Sequence, residues 1–362
     1  MLNRVKRLVY ALLAVPWIRK AYEFANTVVL ETFGSSRILT HILYFFAFLT
    51  FNREQSAVLR GRRDYYRNKR SSTRRTRVEL RRNVHRLEKA LLMRPRRAVF
   101  ATDYIGETIE FYTKAHAQCS LDDAGIDPGE ISWAHDVLAT YFNSISEPNP
   151  TIDAARAAFA GLSLPTTGER RPYSRVTSPD SEVSYDDLLT LAHRRRSVRW
   201  FEQRPVPREL IDQAFMVARQ APTACNRMPY EFRVFDDPEL VRTVSAIPFG
   251  AAGYAENIPT IIVVIGKLDS YFSPRDRHAI YVDAALASMS FMFALETLGL
   301  SSSVINWPDF EPLESRMQKT LKLGMPDRVV MLIAVGYADP DGVVAYSQKK
   351  ELDTFRSYNV AG

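Results

Sequence analysis

Several large function classes are excluded by what this sequence does not contain. Only two cysteines, Cys119 and Cys225, occur in 362 residues. They lie too far apart for a zinc pattern and offer no disulfide framework, which points to a reducing compartment. The six histidines show no HExxH or HxH spacing, so a metal site has little support. No G-x-G-x-x-G follows a candidate strand, and neither G-x-x-x-x-G-K-[ST] nor G-x-S-x-G occurs. That removes a Rossmann fingerprint, a P-loop and a nucleophile elbow. Long hydrophobic runs are also missing. The stretch ILTHILYFFAFLTF (38–51) falls short of the ~20 residues a spanning helix needs. Residues 1–19 place cations before an apolar stretch, but Pro16 interrupts and no small-residue cleavage site comes after it. A cytoplasmic protein is expected, with contact at the inner face of the membrane left open.

The residues present are ordinary in bulk and uneven in place. The hydrophobic share is 46% and the charged share 25%, as in globular proteins, and the length suits two domains or one with a large extension. The net charge is +7, yet residues 53–97 alone hold 17 Lys and Arg against 4 Asp and Glu. An acidic partner for that segment is one implication. The stretch RGRRDYYRNKRSSTRRTRVELRRNVHRLEK (60–89) has three readings. Tyr65 and Tyr66 among cations suit nucleic acid, the least favoured of the three. Apolar helices in 1–51 followed by basic residues suit a peripheral contact of 1–97 with anionic lipid. A solvated helical face neutralised by the acidic remainder is the plain alternative.

Periodicity divides the chain into a hydrophobic and basic helical region (1–97), a second helical region (98–160), a Pro/Ser/Thr/Gly-rich linker (161–183) and a domain of mixed character (184–362). Two helices are expected in 1–52, joined near 26–36. The basic region should break at Ser71–Ser72 and stop at Pro95, with DPGE (127–130) and EPNP (147–150) punctuating the second helical region. Ser184 and Asp187 suggest a capping box ahead of the helix DDLLTLAHRR. PRELIDQAFMVARQA (207–221) has helical spacing, whereas EFRVFDD (231–237) alternates as a strand. PTIIVVIGK (259–267) reads as a buried strand, and YVDAALASMSFMFALETLGL (281–300) as a central helix. SSSVINW (301–307) and RVVMLIAVGYA (328–338) are further strands. The fold class is α+β, without strict βαβ alternation.

Two segments carry candidate chemistry. RRRSVRWF (194–201) puts four arginines and a serine at a predicted helix C-terminus. Cations are favourable there against the helix dipole, which is the plain explanation. The functional one is a phosphate cradle of guanidinium forks completed by a hydroxyl. APTACNRMPYEFRVF (221–235) leads from a helix into a strand. It either turns on Asn226 or uses Thr223 and Asn226 to meet a planar heterocycle, with small Ala224 and Cys225 letting the ring approach.

Taken in order, RRSVRWF, APTACNRMPYEF, DAALASMSFMFALETLGL and a strand ending GYADP resemble the nitroreductase family of FMN-dependent oxidoreductases, over about residues 184–360. The resemblance implies a mixed, mainly antiparallel sheet flanked by helices, with a helical N-terminal extension. It implies a homodimer with FMN at the subunit boundary, the long apolar helix in the dimer core and NAD(P)H as electron donor. Arg195, Arg196 and Ser197 match positions that contact the phosphate, with Val198 in the same turn. Arg199 matches a cation near the flavin's pyrimidine edge. Thr223 and Asn226 match the loop hydroxyl and amide. Val304, Ile305 and Asn306 match the strand end passing near N5. Lys349, in AYSQKKELDTF (345–355), stands where a phosphate-binding arginine is usual.

The sequence departs from that pattern at Met228, where many members have glutamine, and at Trp307, where Pro or Gly is common. The connection GKLDSYFSPRDRH (266–278) is short where many relatives carry a capping excursion, so the N-terminal half is a candidate lid. HRLEKALLMRPRR (85–97) is similar to a segment preceding some nitroreductase-like domains that accompany polysaccharide biosynthesis. The expected activity is transfer of hydride or electrons from NAD(P)H through FMN to a small organic acceptor, with no side-chain nucleophile required. The rival readings are another flavin chemistry, such as dehydrogenation, dehalogenation or sugar tailoring, and a non-catalytic membrane- or nucleic-acid-associated protein on the same scaffold.

Overall fold

The computed structural model describes residues 14–48, 51–68, 74–120, 127–162 and 168–360. The chain forms two compact units, residues 1–56 with 309–311, and residues 57–308 with 312–362.

In the first unit α1 spans Pro16–Gly34 and α2 spans Arg37–Leu43, which runs on into a π turn at Tyr44–Phe48. The two expected helices therefore meet at Ser35–Ser36, where Ser36 is extended and opens α2. Helix α1 buries no residue. Trp17, Tyr22, Phe24, Ile38, Phe45 and Phe46 all stand exposed.

Helix α3, Asn52–Asn68, leads from the first unit into the second, where α4 spans Arg74–Leu91. The expected break at Ser71–Ser72 lies outside the described residues. Helix α4 is amphipathic in the ordinary helical period. Its Leu80, Val84 and Leu87 are fully buried in a core shared with α5 (Ile105–Ser120), α6 (Pro128–Ser144) and α7 (Pro150–Ala160). Two of its arginines stack on aromatic rings. Arg86 stacks 3.6 Å from the centroid of Tyr104, and Arg82 lies 5.2 Å over Phe272. The two punctuating motifs are helix starts. Asp127 accepts from the Gly129 N–H ahead of α6, and Asn149 accepts from the Thr151 and Ile152 N–H groups ahead of α7. Each has proline at the first helical position, where the missing N–H costs nothing.

Beyond residue 183, α8 (Tyr185–Arg194) opens on the anticipated capping box of Ser184 and Asp187. Helix α9 is Arg208–Ala218, and β1 is Tyr230–Phe235. Then come α10 (Pro238–Ser245), β2 (Thr260–Lys267), α11 (Ala279–Thr297), β3 (Ser301–Asn306), α12 (Glu311–Leu321) and β4 (Asp327–Gly336). The four strands form one sheet in the order β1-β2-β4-β3, every neighbour antiparallel. Strand β2 is buried at all eight positions, which explains its unbroken β-branched run. Its Ile262 and Val264 pack with Phe291 and Leu295 of α11 and Ala214 of α9. Gly266 permits a close approach there, because a Cβ on it would come within 2.8 Å of Ile280. Helix α11 has the length and hydropathy of a membrane crossing but is half buried inside the fold, as core helices are. Its other side leaves Val282, Leu286 and Met289 exposed. The architecture is the expected α+β one. Helix α10 escaped the sequence reading because it has only eight residues, and α12 because the apolar marks of its buried face are only Leu313, Met317 and Leu321, at intervals of four.

Buried Lys267 is neutralised from both neighbouring strands, 2.7 Å from Glu231 and 2.9 Å from Asp327. Burial acts to raise the pKa of Glu231, but its bonds to Arg233 and Lys267 prevail and hold it down at about 2. A carboxylate depressed on folding contributes stability above its unfolded pKa and loses it as pH falls through the folded value. Replacing Glu231 with Gln is therefore expected to lower the melting temperature most at pH 7. The deficit relative to wild type should shrink from about pH 4.5 toward pH 2, as thermal melts across that range would check.

Candidate functional site

The arginine turn is made by the end of a helix and the edge of a sheet. Helix α8 closes at Arg194, and Arg195 is already extended, its N–H bonded back to the Leu191 carbonyl. Ser197 then pairs in parallel with Ser302 at the head of β3, and the Val198 N–H donates to the Ser302 carbonyl at 3.0 Å. Further on, Phe201 pairs with Ala338, and the Glu202 N–H donates to the Tyr337 carbonyl at 2.9 Å. The Phe201 ring is buried against Gly336, where an added Cβ would come within 2.8 Å of it. Asn257 holds the same segment, accepting from the Phe201 N–H at 2.6 Å.

Pinned at both ends, the turn presents Arg195, Arg196, Ser197 and Arg199 to a cavity of about 80 Å³. Ala345, Ser347 and Lys349 of the C-terminal segment complete its wall. Arg196 donates to the Tyr346 carbonyl at 3.4 Å, which ties that segment to the turn. Four cations and two hydroxyls line the cavity without one carboxylate. Such a donor set suits a phosphate, since guanidinium forks match its oxygens and each charge-assisted bond is worth roughly 1.5–3 kcal/mol. Behind the turn, buried Glu296 of α11 lies 3.6 Å from Arg194. Burial raises the pKa of Glu296, against the pull of Arg194 and Arg195.

The other candidates fall elsewhere. The Val198 side chain is buried, so this residue anchors the turn rather than lining the cavity. Thr223 and Asn226 do not line it either. They lie on a loop in which Cys225, Asn226 and Met228 all have positive φ, at 54°, 52° and 48°. Within that loop the Thr223 hydroxyl accepts from the Met228 N–H. On β3, Val304 and Asn306 are exposed while Ile305 points into the core. A larger cavity of about 340 Å³, near Arg204, Asp236 and Thr260, contains none of the candidate residues. Sequence reasoning missed Ser347, which only the fold brings to the cradle. It also missed Asp283 and Arg81, whose bonds to the 223–228 loop span about sixty and about 145 residues of chain.

The sequence profile of the Nitroreductase family matches residues 192–254 and 246–337. A protein of Methanothermobacter thermautotrophicus assigned as an NADH dehydrogenase/NAD(P)H nitroreductase is 30% identical over 167 residues, covering 44% of this chain and 81% of its own. The chain belongs to the nitroreductase family. Human iodotyrosine deiodinase 1 is 22% identical over 217 residues, covering 51% of this chain and 73% of its own. Among solved structures, the FMN-dependent nitroreductase of Clostridium difficile R20291 is 22% identical, covering 48% of this chain and 99% of its own with a TM-score of 0.42. Membership of the nitroreductase family makes the protein an oxidoreductase. The matched region begins in the last turn of α8 and ends at the close of β4, so it holds the cation turn and the loop but not Lys349.

The anchoring role of Asn257 is directly testable. Asn257→Ala would leave the buried N–H of Phe201 without its acceptor, and the expected loss of stability is about 1–3 kcal/mol by denaturant unfolding.

Proposed function

We propose that the protein is an FMN-dependent oxidoreductase that takes electrons from NAD(P)H and delivers them to a small organic acceptor. The single observation that carries this reading is the all-cation cavity of Arg195, Arg196, Arg199 and Lys349 with Ser197, on a nitroreductase-family chain. Arg195, Arg196, Ser197 and Lys349 would hold the phosphate. Arg199, 5.9 Å from the Tyr254 ring, would supply the positive charge near the ring system. Bound FMN supplies the redox chemistry by accepting hydride and passing electrons on, and the protein fixes its place and its potential.

Thr223, Asn226, Val304 and Asn306 lie outside the phosphate cavity. A second copy of the chain supplies the missing side of the site in this reading, which makes the working unit a homodimer. The exposed Val282, Leu286 and Met289 of α11 are an apolar strip suited to it. The similarity to human iodotyrosine deiodinase 1 favours a second reading on the same site, reductive dehalogenation. Reduced protein mixed with a nitroaromatic, a quinone or a halogenated phenol separates the two by which acceptor reoxidises it. Peripheral contact of residues 1–97 with anionic lipid is a further part of the proposal, motivated by the exposed aromatics of α1 and of the π turn that follows α2. Salt-sensitive sedimentation with phosphatidylserine vesicles supports that part, and absence of binding at low salt removes it.

The purified protein is expected to be yellow and to migrate as a dimer. Arg195→Ala combined with Ser197→Ala should weaken FMN binding at least a hundredfold in equilibrium titration while leaving the circular dichroism unchanged. A colourless protein that takes up no FMN overturns the reading.

A further inference from the structure

The loop Thr223–Met228 is held from two sides. From α11, the Asp283 carboxylate accepts from the Ala224 N–H at 2.9 Å and lies 3.4 Å from the Tyr271 hydroxyl. From α4, the Arg81 guanidinium donates through Nε to the Asn226 carbonyl at 2.7 Å. Arg81 is itself fixed, with Nη1 3.3 Å from Glu130 and its guanidinium 5.6 Å over the Trp133 ring. Next in the loop, Arg227 is buried. Its Nε has no hydrogen-bond partner, and its guanidinium lies 4.9 Å over Tyr271. Glu79 of α4, buried and bonded to Arg82, feels the Arg227 charge as well.

The loop holds three left-handed residues, none of them glycine: Cys225 between the two gripped groups, Asn226 at the second, and Met228 just beyond it. Each such conformation costs of order 1–3 kcal/mol and persists only where surrounding structure over-determines it. Free of its grips, the loop would relax toward ordinary φ. The grip from α11 lies inside the region the family profile matches, whereas Arg81 lies well outside it. This chain has therefore brought its own N-terminal helix onto the loop.

We propose that Arg81 is a positioning residue that holds the strained Thr223–Met228 loop in the shape in which it meets the flavin, so that the N-terminal helical region sets the reactivity of the site. The proposal rests on the FMN reading of the cation cavity. Arg81 does not line the phosphate cavity, and it reaches the loop through the Asn226 carbonyl. Arg86 of α4 does not share the role. Arg86, one turn further along, is occupied by Asn83, Asp103 and the Tyr104 ring.

The experiment compares the full-length wild type with Arg81→Ala, Arg81→Lys and, as a control on the same helix, Arg86→Ala. Hydrogen exchange in the absence of cofactor reads the loop directly. In Arg81→Ala the amides of residues 224–228 should exchange about tenfold faster, with little change in Arg81→Lys and none in Arg86→Ala. With FMN loaded, Arg81→Ala should bind the cofactor as wild type does. It should also shift the flavin absorption band and change kcat about tenfold, while KM for NAD(P)H moves less. Arg81→Lys, which keeps one donor, should recover most of both. Unaltered loop exchange and an unaltered band in Arg81→Ala, with flavin bound normally, overturn the proposal and leave the FMN reading intact. Equal effects from Arg86→Ala also overturn it, since they reduce Arg81 to a general support of α4. A wild type that takes up no FMN overturns the reading and the proposal together.

Discussion

The arginine turn depends on two short stretches of sheet pairing, Ser197 with Ser302 and Phe201 with Ala338. Four like charges crowded into a small cavity repel one another, and left to themselves the side chains would splay into water. Pinning the backbone at both ends fixes in advance the points from which they start. The cost is met by the fold, through the buried Phe201 ring, the Asn257 clamp and the β3–β4 ladder, so that the phosphate of the proposed cofactor would find its donors already assembled. Preorganised charge of this kind binds without the reorganisation that a flexible cluster would need.

Much of this was legible in the sequence, and for a physical reason. The elements recognised correctly are those whose local signals agree with their tertiary role: the capping box at Ser184, the alternating β1, the β-branched β2 and the apolar α11. The cation turn was legible because four arginines and a serine in six residues demand an explanation on charge alone. The Arg195–Lys349 pairing came from the resemblance, and the cavity shared by these two residues is consistent with it. Ser347, Asp283 and Arg81 had no such signal, since each acts across a long stretch of chain. Helix α12 was missed because only three positions mark its buried face.

The basic region shows how composition can mislead about surface. Seventeen cations in residues 53–97 suggest a field waiting for an acidic partner. In the described residues, Arg81, Arg82 and Arg86 are stacked on aromatic rings or bonded to carboxylates and carbonyls. Guanidinium groups are suited to that use, being planar, weakly hydrated and able to stack and donate together. The charge at these three positions is thus structural. It joins the helix to the loop and to its own helical core, and a count of Lys and Arg overstates what remains for an external partner.

Gly336 carries a consequence of a different sort. The space above it is filled by the Phe201 ring and by Pro259, with no allowance for a side chain. Since Phe201 is the far pin of the cation turn, the depth to which one aromatic sinks into the sheet fixes how far the neighbouring guanidinium groups stand from the strand beneath them. Interior packing is in this way the ruler for an electrostatic spacing at the surface. A single methyl group at position 336 would be read out as a misplaced charge.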